Sequence, residues 1–238
     1  MARVCALLSG GKDSNYALYL SMMRGDEVVC ILAVKPRRRD SWMFHTAALE
    51  APRLQAEAMG LSHVYREAEV SGVREREVEE LKPVLARLKG EAEFDTIVLG
   101  GIASRYQLER AKALAGHVGA RVYAPLWGVD PENHLLNLVR EGFKFIISRA
   151  ATMGLGPRHV GRVFDEDLAR EVIALSRKYG FNPAFEGGEA ETLVLSAPHY
   201  RRGICVRGKV ASLPGEVYEL VVYDMRLCGE ARVELEPP

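Results

Sequence analysis

Six consecutive residues, Ser9-Gly10-Gly11-Lys12-Asp13-Ser14, set two glycines, two hydroxyls, an ammonium and a carboxylate directly after an apolar run. Glycine lets a backbone approach an anion closely, and the N–H groups of a helix's first turn point towards it. The positive end of the helix dipole favours the same charge. Ser9 and Ser14 add hydroxyl donors, and Lys12 adds a mobile cation. Asp13 is out of place beside a bare phosphate but suits a magnesium ion held through water. The longer spacing of a Walker loop is missing, which argues against kinase or GTPase chemistry of that type. The segment predicts a phosphate cradle contacted by Ser9, Gly10, Gly11, Lys12, Asp13 and Ser14, with Asp13 as its metal-side residue.

A second chemical segment is Asn182-Pro183-Ala184-Phe185-Glu186-Gly187-Gly188-Glu189-Ala190-Glu191-Thr192-Leu193. Three carboxylates so close repel one another, which favours a cationic partner or a raised pKa. Glu186, Glu189 and Glu191 suit holding ammonium, steering magnesium or acting as a general base. A charged surface loop entering a strand has the same composition. Gly100-Gly101, with Ser104 and Arg105 just beyond, follows another apolar run and leaves room for a base or ribose. His45 beside Phe44 can stack on adenine or hydrogen-bond to it, and Val34 ends the second apolar strand. Val34, Phe44, His45, Gly100, Gly101 and Ser104 are therefore the expected adenine and ribose contacts. Trp127 is expected in the core, and Arg162 either meets an anion or lies on the surface.

The elements that position these residues can be traced by periodicity. Residues 3–8 form an apolar strand ending in the Ser-Gly-Gly turn, and residues 13–24 carry Tyr16, Ala17, Leu20 and Met23 at helical spacing. A strand over 28–34 follows, then a helix over 46–59 that Pro52 should break or kink. A charged helix over 75–88, a strand over 96–99, a helix over 105–115 and a strand over 121–124 complete the series. Strand–helix alternation with continuous apolar strands predicts an α/β class: a Rossmann-like parallel sheet with helices on both faces. In such sheets the ligand crevice lies beyond the carboxyl ends of the strands, where Ser9 and Gly100 fall. After about Trp127 the pattern changes to a helix over 131–141, a strand over 143–148, a helix over 166–179 and a mostly stranded tail from residue 192. The expected division is a nucleotide-binding domain over residues 1–128 and a smaller, substrate-binding α+β domain over residues 129–238.

Bulk properties exclude several classes. The 238 residues carry 32 basic and 32 acidic side chains, so no global field draws the chain to nucleic acid or membrane. The Arg37-Arg38-Arg39 run is the one local basic candidate. No apolar run approaches the roughly 20 residues that span a bilayer, and the N-terminus does not resemble a signal peptide. The cysteines Cys5, Cys30, Cys205 and Cys228 form no Cys-x-x-Cys pair, and are read as small core residues in a reducing, cytoplasmic compartment.

The six-residue loop resembles the PP-loop of ATP pyrophosphatases, the adenine nucleotide alpha hydrolase-like proteins. The further segments Ser41-Trp42-Met43-Phe44-His45-Thr46, Gly100 to Gln107, Ala124-Pro125-Leu126-Trp127, Gly161-Arg162 and Asn182 to Leu193 narrow the likeness. Together they resemble the diphthine–ammonia ligase family, from the first strand to about Pro198. The resemblance implies an ATP-dependent, AMP-forming carbon–nitrogen ligase. Its reaction adenylates the diphthine carboxylate of translation elongation factor 2 and amidates it with ammonium to give diphthamide. It implies ATP and Mg2+ as cofactors, and Lys12, Asp13, Glu186, Glu189 and Glu191 as catalytic residues. It implies no direct nucleic-acid or membrane partner. The family usually has Gly-Glu-Gly-Gly-Glu-Tyr-Glu-Thr where this chain has Phe185 and Ala190, a change expected to alter docking of the protein substrate. Two rival readings are a PP-loop tRNA-thiolation enzyme and a non-catalytic ATP-binding sensor. Neutral charge and scattered cysteines disfavour the first; the intact Lys12-Asp13-Ser14 and the acidic segment disfavour the second. The sequence leaves oligomeric state open, a homodimer included.

Overall fold

The computed structural model describes residues 1–36, 45–71 and 76–236. In chain order the elements are β1 (Arg3–Leu7), α1 (Lys12–Met23), β2 (Glu27–Pro36), α2 (His45–Met59), β3 (Tyr65–Val70), α3 (Glu77–Ala92), β4 (Thr96–Val98), α4 (Arg105–His117) and β5 (Arg121–Tyr123). They continue with α5 (Pro131–Arg140), β6 (Lys144–Ala150), α6 (Glu166–Tyr179), β7 (Ala190–Ser196), β8 (Gly203–Leu213), β9 (Val217–Cys228) and β10 (Arg232–Leu235). The chain divides into two compact units. One comprises Met1–Ser9, Asp13–Trp42 and Leu61–Gly128; the other comprises Gly10–Lys12, Met43–Gly60 and Val129–Pro238.

The first unit is built on a parallel sheet in the order β3-β2-β1-β4-β5. From β1 the chain crosses one way to β2, and from β3 it returns to β4 and β5. Right-handed crossovers then put α1 on the face opposite α3 and α4. Cys5, Cys30, Leu32, Ala68, Val70 and Ile97 of the strands pack with Leu81, Leu85 and Leu88 of α3 and Leu114 and Ala115 of α4. The leucines of α3 recur at the spacing of one helical face, and each buried side chain contributes roughly 1.5–3 kcal/mol. The order reverses between β1 and β4, so the crevice expected of such sheets opens beyond their carboxyl ends. Sequence periodicity does not find β3, because Arg66, Glu67 and Glu69 are exposed and only Ala68 and Val70 are buried. It is an edge strand with a solvated face. In α1 Tyr16 and Ala17 are buried as expected, together with Lys12, Ser14, Asn15, Leu18 and Ser21, while Leu20 is half-buried and Met23, expected on the apolar face, is 68% exposed.

The second unit carries a mixed sheet in the order β10-β8-β9-β6-β7, antiparallel except for the β10–β8 pair. Helix α2 packs on β7, β8 and β9, and α5 packs on α6. Contrary to the expected break, α2 continues through Pro52. That ring and Ala51 border Gly10, whose Cβ, were there one, would lie 3.5–3.6 Å from them. Helix α6 begins at Asp165, whose Oδ1 accepts the Leu168 N–H at 2.7 Å, and ends at Gly180 with φ 77°. Those two caps explain why its ends were legible in the sequence.

Two expectations need correction. Cys205 and Cys228 are joined in a disulfide, with Cα atoms 5.8 Å apart on adjacent strands β8 and β9. Their separation of 23 residues gives no local sequence signal, because the pair is created by the hairpin register. Cys5 and Cys30 are buried free thiols, as expected of core residues. Trp127 is 38% exposed rather than in the core; Leu126 beside it is buried. Arg162 faces Asp165 and Glu171 at 3.7 and 3.6 Å.

Burial also sets a pH response in this unit. The His199 ring lies beside Phe143 and Tyr200, and desolvation lowers its pKa from 6.5 to about 4. Between these values the unfolded chain holds a proton that the folded chain refuses, so stability falls as pH drops from 6.5 towards 4. Relative to His199→Gln, the natural chain should lose up to about 3 kcal/mol across that window. Urea unfolding at stepped pH measures this; parallel curves for the two proteins would disprove it.

Candidate functional site: the loop after the first strand

The loop leaves β1 at the sheet's reversal point and enters α1 within four residues. Gly10 has φ 92°, a left-handed conformation that glycine adopts without steric cost. In the first unit, the Ser14 hydroxyl accepts the Ser9 N–H at 3.2 Å and lies 3.0 Å from the Ser9 hydroxyl. The two hydroxyls assigned to phosphate are thus brought together. Gly100, just past β4, meets this turn closely: a Cβ there would stand 2.5 Å from Ser14 N and 2.6 Å from the Asp13 carbonyl carbon. The side of Gly100 on which a Cβ would project is occupied by the first turn of α1. Gly101 is buried, and Ser104 caps α4 by accepting the Gln107 N–H at 3.3 Å. Val34 is 37% exposed. Phe44 lies outside the described residues, as do Arg37-Arg38-Arg39 and Ser41-Trp42-Met43; His45 opens α2.

Gly10, Gly11 and Lys12 belong to the second unit, where they run beside β7. The Gly10 carbonyl accepts the Val194 N–H at 3.1 Å, and the Lys12 N–H donates to Thr192 Oγ1 at 3.1 Å. Gln55 of α2, fully buried, donates from Nε2 to the carbonyls of Gly10 and Val194, each at 2.9 Å. Lys12 is 1% exposed; its ammonium donates to the Ala184 carbonyl at 2.6 Å and lies 5.3 Å from the Phe185 ring centroid. Sequence reasoning missed Gln55, which nothing local marks, and it named Ala184 and Thr192 within the Asn182–Leu193 segment without their contacts to Lys12.

The three glutamates differ in place. Glu189 accepts backbone N–H groups from Asn182 at 3.1 Å and Gly187 at 2.7 Å, so its carboxylate closes the loop ahead of β7. Glu191 is exposed on β7, in register with Arg149 of β6. Glu186 is half-buried within the loop. Among the described residues no cluster of three or more His, Cys, Asp or Glu side chains could hold a metal.

Replacing Gln55 by Leu removes the donor shared by two buried carbonyls. A loss of about 1–3 kcal/mol is expected, together with weaker nucleotide binding by the loop. Chemical denaturation and nucleotide titration read the two effects, and unchanged values would show that the amide bridge contributes nothing.

A parallel sheet of this order, with a glycine-bearing loop passing from its first strand into a helix, is a doubly wound α/β fold whose crevice lies beyond the carboxyl ends of β1 and β4. The diphthamide synthase N-terminal domain matches residues 2–122, and the diphthamide synthase C-terminal domain matches residues 130–218. The chain is 33% identical to the diphthine–ammonia ligase of Mus musculus, over 86% of this chain and 82% of that protein. With the Rattus norvegicus ligase it shares 32% identity over 95% of this chain and 91% of the relative. The Homo sapiens ligase is 32% identical over 86% and 82%. The chain belongs to the diphthamide synthase family, and it is a ligase of diphthamide biosynthesis. Residues 219–236, the rest of β9 and β10, lie beyond the matched segments and are tied to β8 by the Cys205–Cys228 disulfide.

Proposed function

We propose that the chain binds ATP at Ser9–Ser14 and uses it to adenylate the diphthine carboxylate of translation elongation factor 2. Free ammonium then supplies the amide nitrogen. The observation that carries this reading is the loop at the sheet's reversal point, where Gly10 turns the backbone and Ser9 and Ser14 converge. In the first step a carboxylate oxygen attacks the α-phosphorus of ATP, the α–β bridge breaks, and pyrophosphate departs. Backbone amides at the start of α1, the two hydroxyls and Lys12 stabilise the charge that gathers on the leaving group. Asp13 is the residue that would hold magnesium, which when bound would supply further charge neutralisation. In the second step ammonia attacks the acyl carbon and AMP leaves. Glu186 and Glu191 attract ammonium and accept its proton. Val34, Gly101 and Ser104 of the first unit border the adenosine, while Gly100 keeps the loop seated. Residues 129–238 receive the protein substrate in the cytoplasm.

The cysteines support free ammonium as the nitrogen source. A glutaminase needs a nucleophilic thiolate. Burial pushes the Cys5 thiol pKa up, with Cys30 adding to the effect; Cys30 is itself buried, and the other two cysteines are oxidised. The test incubates elongation factor 2 carrying diphthine with the protein, ATP, magnesium and ammonium, and follows the modified peptide by mass spectrometry. Conversion of acid to amide with stoichiometric AMP is expected, whereas ADP production or amidation by glutamine in place of ammonium would contradict the scheme.

A further inference from the structure

Lys12 is drawn away from solvent by a segment far from it in sequence. Its ammonium reaches the Ala184 carbonyl, the Phe185 ring covers it, and its backbone N–H is held by Thr192. The segment that presents these groups is braced internally. Asn182 Oδ1 accepts the Ala184 N–H at 2.8 Å, and the two oxygens of Glu189 accept the N–H groups of Asn182 and Gly187. Phe185 sits at φ 65°, a left-handed conformation that is costly for a side-chain-bearing residue. Its ring is buried, stacks on Phe181 at 6.5 Å and faces Lys12. A strained residue kept in this way marks a position that the surrounding contacts over-determine.

We infer that Glu189 is a positioning residue: it braces residues 182–189 so that Ala184 and Phe185 hold the Lys12 ammonium in place for the phosphates. The inference rests on the proposed role of Lys12 in ATP binding, and it separates Glu189 from Glu186 and Glu191. A base acting directly on ammonium would leave Lys12 undisturbed when altered. A brace would expose it.

Two variants and two readouts test this. Glu189→Gln keeps one acceptor oxygen but replaces the other with an amide NH2 that cannot accept. Gly187→Ala leaves every charge in place, yet its Cβ would stand 2.7 Å from Glu189 Oε1 and push the carboxylate off its seat. The first readout is acetylation of Lys12 by acetic anhydride in the nucleotide-free protein, quantified by peptide mass spectrometry; it needs no turnover. Both variants should raise Lys12 labelling about tenfold, while the second readout shows a higher KM for ATP and an unchanged KM for ammonium. Lys12 protected as in the natural protein in the folded variants, or a defect confined to the ammonium KM, would overturn the inference. Failure of the natural protein to release pyrophosphate would count against the proposed function, while the labelling result would still decide the bracing role.

Discussion

Lys12→Met should lower pyrophosphate release by about 10²–10³-fold while the protein stays folded, a loss of the size seen when one pre-organised transition-state donor is removed. Methionine keeps an unbranched apolar stem in the space the lysine stem fills, which separates charge from packing. The ammonium is 1% exposed and sits in a low-dielectric setting, where its attraction to a leaving pyrophosphate is far stronger than in water. Its removal also leaves the Ala184 carbonyl without this donor, which costs about 1–3 kcal/mol of stability. Single-turnover release of pyrophosphate from ATP, with the melting temperature measured alongside, decides the matter. Release at the natural rate by folded Lys12→Met would remove the lysine from the chemistry. Ser14→Ala is expected to act in the same direction, since the Ser14 hydroxyl is positioned against both the backbone and the side chain of Ser9.

The second large effect is expected at Gly100. An added methyl would meet the Ser14 nitrogen at 2.5 Å, and the Asp13 carbonyl carbon and oxygen at 2.6 and 2.7 Å. These are backbone atoms in the first turn of α1, so no side-chain rotation relieves the contact. Gly100→Ala must shift either the turn or the end of β4, at roughly 1–3 kcal/mol for overpacking. For a chain of this size that corresponds to a fall of about 2–4 °C per kcal/mol in melting temperature. The displaced turn is the one assigned to the triphosphate, so ATP affinity should fall more than tenfold. Gly116→Ala in α4 is the control, because an added Cβ there would meet nothing within 4 Å. Equal melting temperatures and ATP affinities for the two alanine variants would refute the close approach.

Placing a nitrogen-transfer ligase on this fold asks little of the protein in covalent chemistry and much in positioning. Under the proposed function, the loop, a buried lysine and an acidic segment would supply that positioning. Glu189, tied to two backbone amides, and Glu191, exposed on β7, show that the fold places neighbouring carboxylates of one motif in different settings.

Much of the architecture was legible in the residues themselves. The apolar run before Ser9, the glycines after it and the 3.6-residue periodicities determine strand, turn and helix from local sterics and burial, so β1, α1, β4, α4 and α6 were found within a few residues of their ends. The edge strand β3 did not, because its solvated face masks the apolar alternation. The break that Pro52 allowed did not occur, since backbone propensity ignores the burial that its ring gains beside Gly10. Only tertiary structure decided that Gly100 is there for the backbone of α1, that Gln55 holds the loop to β7, and that Cys205 meets Cys228. It alone showed that Lys12 lies beneath Phe185. Each of these is a contact between residues 23 or more positions apart. Such contacts are set by sheet register and packing, which neighbouring residues cannot encode.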